Sequence, residues 1–376
     1  MEENIEELIK KAEQGDVEAQ NNLGVAYANG DGVEKDYEKA VLWYTKAAEQ
    51  GDATAQYNLG AAYANGDGVE KDYEKAVYWY TKAAEQGDAY AQNNLGFMYE
   101  KGHGVEQDYE KAVLWYTKAA EQGCARAQNN LGFMYENGQG MKKAYKKAVY
   151  WYTKAAEQGD VITQNYLGFM YETGQGVEQD YEKAILWYTK AAEQGEAEAQ
   201  NSLGNLYFEG KAVEQDYQKA FEWYVKAGKN GDQSSLTKLA KMFYQGEGVE
   251  QDFNLALKLF KTSRVLNYDD DGSIHFTIGQ MYEKGEGTQK SLKKALEYYE
   301  KASKAQNDDA IKALERLRNL KEETTSTEVL MNKNNKSSSL KYEKLVQNII
   351  SCANASNSPE LIFFEPYVNW NNMDSD

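Results

Sequence analysis

The chain repeats itself every 36 residues, and no other feature limits its fold so narrowly. The stretch GHGVEQDYEKAVLWYTKAAEQG over Gly102–Gly123 has near-copies at Gly30–Gly51, Gly66–Gly87, Gly138–Gly159 and Gly174–Gly195. The same step carries Leu23-Gly24 onto Leu59-Gly60, Leu95-Gly96, Leu131-Gly132, Leu167-Gly168 and Leu203-Gly204, then more loosely onto Leu239-Ala240. After a three-residue insertion the register resumes at Ile278-Gly279, which makes eight units. A period of this size marks a solenoid, because each unit is one supersecondary element that buries its apolar face only against its neighbours.

Within a unit the apolar pattern is helical twice over. Ala40, Trp43, Tyr44, Ala47 and Ala48 fall at i, i+3, i+4, i+7 and i+8, with Val41 next to the first, the face of a packed helix. Asp36 stands at the N-cap, Glu38 lies in the first turn and Gly51 follows the last one, so this helix, helix B, is expected over about Tyr37 to Gln50. Helix A of the next unit begins after Asp52, passes through Ala55, Leu59, Gly60 and Tyr63, and stops at Asn65-Gly66. A glycine inside a helix costs about 1 kcal/mol against alanine. Gly60 therefore implies a close approach of backbones, with Tyr63 and Trp79 expected to fill the space beside it. Helices this short are marginal alone, so packing between units must hold them.

The Gly-x-Gly triplet between helices A and B reads as a turn. One glycine ends helix A in a left-handed conformation and the next permits the turn toward helix B. A phosphate-binding fingerprint would require a preceding strand, and the middle residue varies as Asp31, Asp67, His103, Gln139 and Gln175, which no single ligand chemistry tolerates.

Four marks recur together: AxAQxxLG, Y-x-x-G-x-G-V, D-Y-x-K-A and WYxKAAEQG, as in AEQGDAYAQNNLGFMYEKGHGVEQDYEKAVLWYTKA. With them the chain, from about Ile5 to Leu317, resembles the Sel1-like repeat, a relative of the tetratricopeptide repeat. The resemblance implies an all-α fold, a right-handed α-α superhelical solenoid, here of about eight 36-residue helix pairs; the end sequences add capping helices, and the polar composition after them a flexible C-terminal tail. It also implies a scaffold or adaptor for protein partners. Residues 1–15 are expected to form an N-terminal capping helix, 16–302 the solenoid, 303–321 a C-terminal capping helix, and 322–376 a linker with an apolar tail segment. Polar ends of this kind are what a solenoid requires.

Composition narrows the function. The formal charge of −18 speaks against a nucleic-acid partner, since neutralising phosphates needs clustered Lys and Arg. No run of apolar residues is long enough for a membrane span, and MEENIEELIKKAEQG lacks the basic and apolar regions of a signal peptide, so a cytoplasmic chain with no membrane partner is expected. Cys124 and Cys352 are the two cysteines and imply no disulfide framework. Secreted members of the resembled family, some described as penicillin-binding or β-lactamase-like, carry a cysteine pair in each repeat, which this chain lacks. Members serving endoplasmic-reticulum quality control bring a signal sequence or an anchor, and neither is seen here.

The resemblance places a partner on the concave face, along helix-A positions that avoid the Leu-Gly-Tyr core. One such column reads Glu18, Thr54, Tyr90, Arg126, Ile162, Glu198 and is among the least uniform in the array. Beside it run Asn21, Tyr57, Asn93, Asn129, Asn165, Asn201 and Val25, Ala61, Phe97, Phe133, Phe169, Asn205. Phe97, Phe133 and Phe169, with Glu100, Glu136 and Glu172 one turn on, are read as an apolar strip rimmed by acid, suited to a peptide with apolar anchors and basic flanks. The alternative is that the phenylalanines pack between units as core with Met98, Met134 and Met170.

Repeat four departs from the acidic pattern: Lys142, Lys143, Lys146 and Lys147 appear, and Ala144 replaces the N-cap Asp. These lysines read either as a docking point for an acidic partner or as a solvated edge. The S-x-x-K matches at Ser235, Ser291 and Ser338 lack the SDN and KTG partners of penicillin-recognising enzymes. Asn267, Asp269, Asp271 and Gly272 imitate a calcium loop, but position twelve is Ile278 rather than Glu. His103 and His275 are isolated. No catalytic residue, cofactor or metal is therefore assigned, and the expected partner is a protein or peptide.

The tail holds both prolines of the chain. After the polar stretch EETTSTEVLMNKNNKSSS, Leu361, Phe363, Phe364, Tyr367 and Trp370 stand as anchors that cover the last repeats, self-dock in the groove of this or another copy, or recruit a separate partner. A host-directed effector exported by a non-classical route is the second functional reading, ahead of a β-lactamase-like or quality-control role.

Overall fold

The computed structural model describes residues 5–211, 213–265 and 271–324, so Cys352, Asn267, Asp269, Ser338 and the anchors Leu361, Phe363, Phe364, Tyr367 and Trp370 lie outside the described residues. Among the described residues every regular element is a helix. The chain divides into two units, Met1–Gln179 and Asp180–Asp376. Unit 1 holds α1 (Ile5–Glu13), α2 (Val17–Asn29), α3 (Tyr37–Glu49), α4 (Ala53–Asn65), α5 (Tyr73–Glu85), α6 (Ala89–Lys101), α7 (Tyr109–Glu121), α8 (Ala125–Asn137), α9 (Tyr145–Glu157) and α10 (Val161–Thr173). Unit 2 holds α11 (Tyr181–Glu193), α12 (Ala197–Glu209), α13 (Tyr217–Lys229), α14 (Gln233–Gln245), α15 (Phe253–Val265), α16 (Ser273–Lys284), α17 (Leu292–Lys304) and α18 (Asp308–Thr324). Even-numbered helices from α2 to α16 are the A helices and odd-numbered ones from α3 to α17 the B helices. Inside each unit every helix packs on the one before and the one after it.

Local chemistry sets the boundaries. Asp36, Asp72, Asp108, Asp180 and Asp216 cap B helices, and Asp16, Asp52, Asp88, Asp160 and Asp232 cap A helices; each carboxylate accepts a backbone N–H of its first turn. The A helices end on glycines in the left-handed region, as at Gly66, whose N–H donates to the Ala62 carbonyl.

The core alternates small and large. Ala40, Ala47, Ala55 and Leu59 are buried in one layer of unit 1, and Ala112, Tyr116, Ala119 and Leu131 in another. The glycines inside α2, α4, α6, α8, α12 and α16 each face a tyrosine ring of the following B helix: a Cβ at Gly60 would lie 2.7 Å from Tyr80 Cδ1, and one at Gly96 would lie 2.8 Å from Tyr116 Cδ1. This corrects the expectation that Tyr63 and Trp79 fill that space. The closest contact is a tyrosine ring, so the glycine is a socket for an aromatic side chain more than a site where two backbones meet.

Neighbouring repeats are tied by a glutamine relay. Buried Gln92 donates through Nε2 to the Ala84 carbonyl at the end of α5 (3.0 Å), while its Oε1 accepts from Gln122 Nε2 after α7 (2.8 Å). Gln56 repeats this with Ala48 (3.1 Å) and Gln86 (2.8 Å), and Gln128 with Ala120 (3.1 Å) and Gln158 (2.8 Å). The Gln of AxAQ and the Gln of AAEQG are thus two halves of one device that satisfies buried amides and helix-end carbonyls together.

Candidate functional site

Four A helices of unit 1, α4, α6, α8 and α10, carry the residues assigned to partner binding. At the N-terminal end of these helices Tyr90 is 54% exposed and Ile162 38% exposed, with Arg126 half-buried in the same column. The Tyr57 ring lies 6.0 Å from the Tyr80 ring and 6.1 Å from the Tyr90 ring. Burial pushes the Tyr57 hydroxyl above its ordinary pKa, and Arg126 opposes the shift. Burial likewise raises the Asp88 carboxyl and the Cys124 thiol. Cys124 occupies the N-cap position of α8, where it makes no side-chain cap hydrogen bond.

The asparagine column between the two apolar regions is largely internal. Asn93 and Asn165 are buried and Asn129 half-buried. Asn58 Nδ2 donates to Asn21 Oδ1 (3.1 Å), and Asn130 Nδ2 to Asn93 Oδ1 (3.0 Å), so amides bridge successive A helices. Tyr57 interrupts that column with an aromatic ring.

The phenylalanine strip divides. Phe169 is 42% exposed, whereas Phe97 and Phe133 are half-buried against the core layer of Tyr116 and Leu131. Met98, Met134 and Met170 are core. The expected acid rim is corrected: Glu100 and Glu136 are buried. Glu100 accepts from Tyr116 Oη (2.7 Å) and pairs with Lys101 (3.2 Å). Glu136 accepts from Tyr152 Oη (2.9 Å), from Tyr166 Oη and from Gln175 Nε2 (2.7 Å). A buried carboxylate is stable only with donors around it, and the tyrosine of the following B helix supplies one in each case. Burial first, and Glu136 second, raise the Tyr152 hydroxyl well above its ordinary pKa. Glu172 is half-buried.

Sequence reasoning passed over Tyr166. It breaks the column Asn22, Asn58, Asn94, Asn130, and its ring stacks on Phe169 at 6.1 Å and meets Tyr152 edge-on at 5.2 Å. The column break was the available signal. The middle residues of the turns also reach farther than a turn requires: the His103 ring stacks on Tyr73 at 4.6 Å and meets Phe97 edge-on at 5.7 Å, and Gln175 holds Glu136.

Elsewhere the residues have structural partners. In repeat four, Lys143 and Lys147 lie over the rings of Tyr145 (4.5 Å) and Tyr135 (5.0 Å), as Lys71 and Lys75 lie over Tyr73 (4.7 Å) and Tyr63 (5.2 Å). Lys142 and Lys146 are the charges peculiar to that repeat, and both are exposed. Ser235 is buried and donates to Asn201, Lys238 donates to Asn205, and Ser291 caps α17. Asp271 accepts from the Ser273 N–H (2.9 Å), and the His275 ring lies 6.2 Å from the Tyr298 ring. Among the described residues no helix is long and apolar enough to cross a membrane, and no group of three or more His, Cys, Asp or Glu is placed to hold a metal.

Helix pairs with an A-helix glycine socket, a Gly-x-Gly turn and a shared glutamine relay define a Sel1-type repeat array. The family model for the Sel1 repeat matches eight times, at residues 17–52, 53–88, 89–124, 125–160, 161–196, 197–232, 233–263 and 276–307. The chain belongs to the Sel1 repeat family. It is similar to the crystal structure of a Sel1 repeat protein from Oxalobacter formigenes, with 40% identity over 57% of this chain and 86% of that one and a TM-score of 0.51. It is also similar to c5321, a protective antigen of uropathogenic Escherichia coli strains, with 29% identity over 93% of this chain and 86% of that one and a TM-score of 0.47. Comparison with curated proteins finds no match.

Proposed function

We propose that the chain is a non-enzymatic adaptor that holds a protein or peptide partner on the A-helix face of unit 1. The observation that carries this reading is where the repeats differ. Their cores and turns are near-copies, while the open A-helix positions hold Tyr90, Ile162 and Phe169, with half-buried Arg126 in the column of the first two. Exposed large apolar groups in a row on one face support docking more than solubility, and aromatic and arginine side chains are the usual anchors of an interface.

With Glu100 and Glu136 committed internally, the surface favours a partner with apolar side chains, in place of basic flanks. Affinity capture on the full chain, followed by mass spectrometry, tests this against Tyr90→Ser/Ile162→Ser/Phe169→Ser with retained helical circular dichroism. Selective loss of a partner is expected. Recovery of the same proteins in the same yield would overturn the reading.

A further inference from the structure

On the A-helix face of unit 2 the chemistry changes. Asn205 on α12 and Lys241 on α14 stand in the repeat column that holds Phe97, Phe133 and Phe169 in unit 1, and Lys238 stands in the column of Asn58, Asn94 and Asn130. Lys238 Nζ donates to Asn205 Oδ1 (2.6 Å), and Tyr224 Oη on α13 donates to the same oxygen (2.9 Å). Burial first and Glu209 second raise the Tyr224 hydroxyl above its ordinary pKa, so it remains a donor. Two donors on one oxygen fix the direction of the Asn205 amide and fill both of its acceptor positions. Its Nδ2 end offers donors alone.

Lys238 is half-buried, and among the described residues its ammonium is held by that one neutral oxygen and by the Tyr224 ring at 5.8 Å. Desolvation is the largest influence on it and lowers its pKa, and Lys241, exposed one turn on along the same side of α14, adds to the shift. An ammonium drawn out of water costs free energy unless an anion answers it. The acids that act on Lys238 are engaged elsewhere: Asp232 caps α14 and accepts from Ser235, and Glu209 pairs with Lys211 (2.6 Å). On α16, Glu283 is held by Arg316 (2.7 Å). Glu198 lies two turns before Asn205 on α12, roughly 10 Å away along the helix axis. A bridge between neighbouring A helices does not need the charge of Lys238, because unit 1 makes it with neutral amides, Asn58 to Asn21 and Asn130 to Asn93. The groups still open at Lys238, Lys241 and Asn205 are all donors, two of them cationic. What satisfies them together must accept hydrogen bonds and carry negative charge.

We propose that Lys238, Lys241 and Asn205 form an oxyanion-binding site on the A-helix face of unit 2, which takes the carboxylate or phosphate group of a ligand. The site belongs to unit 2 alone and stands apart from the partner face of unit 1. Its test is the rate at which N-hydroxysuccinimidyl acetate labels Lys238 in the full chain, read peptide by peptide by mass spectrometry. The exposed Lys142 and Lys146 of unit 1 serve as references in the same digest. Glutarate and inorganic phosphate are each titrated against sodium chloride at equal ionic strength. Saturable slowing at Lys238, with Lys142 and Lys146 unchanged, is expected from at least one of the two, and the one effective at lower concentration reports which oxyanion the site prefers. Lys241→Gln, a surface substitution, should raise the half-effect concentration about tenfold, the loss of one charge-assisted hydrogen bond, with helical circular dichroism unchanged. Asn205→Ala should raise it as well. Slowing no greater than chloride gives, slowing shared equally by Lys142 and Lys146, or slowing that Lys241→Gln leaves intact would overturn the site.

Discussion

At the scale of single residues, glycine does different jobs that the sequence writes with the same letter. Gly104 has φ +69, and a Cβ there would lie 2.3 Å from the Tyr73 carbonyl oxygen, so the second glycine of the turn is pressed against the backbone of the preceding repeat. Gly123 has φ +91 with nothing within 4 Å of its would-be Cβ. Gln306 shows that the latter kind of position accepts a side chain, at φ 60. Gly123→Ala should therefore cost only the left-handed conformation, about 1–2 kcal/mol. Gly104→Ala should cost more, because a carbonyl cannot rotate away. Thermal unfolding of the two variants checks this, and equal losses would contradict the packing described. A turn was legible from Gly-x-Gly alone. The clash with Tyr73 was not, since it joins residues of two different repeats.

Elements were legible wherever their signals are local. Capping Asp residues and left-handed glycines act within one turn, so helices A and B could be placed from the sequence nearly to the residue. The glutamine relay and the tyrosine-to-glutamate hydrogen bonds were not, because their partners come from helices separated in sequence and look like ordinary polar filler. Glu100 and Glu136 were read as surface acids for that reason. α9 offers a test at this scale, since its N-cap Ala144 makes no cap hydrogen bond. At the equivalent position of α7 the Lys111 backbone N–H, with desolvation opposing and the Lys111 ammonium assisting, holds the Asp108 carboxyl below its usual pKa. Ala144→Asp should stabilise the protein by about 0.5–2 kcal/mol at neutral pH. A carboxyl with a lowered folded-state pKa contributes fully above its unfolded value and loses that contribution as the pH falls, so the gain should fade below about pH 4. A gain that persists in acid, or none at neutral pH, would contradict the capping account.

At the scale of the whole molecule, repetition makes the fold easy to read and the site hard. Near-identical units declare their core by what they share, and the eight matches to the Sel1 repeat follow from that. A partner surface must instead be found in the few places where units differ, and some of those differences, such as Glu100, turn inward. Those that stay at the surface of unit 1, Tyr90, Ile162 and Phe169, carry the proposed function. Hydroxyl-radical footprinting of the full chain, with and without a partner recovered by affinity capture, tests that claim most directly. The account predicts that oxidation of Tyr90 and Phe169 falls when the partner binds while that of Leu42 and Leu114 does not change. Unchanged oxidation at Tyr90 and Phe169, with protection appearing elsewhere, would contradict it.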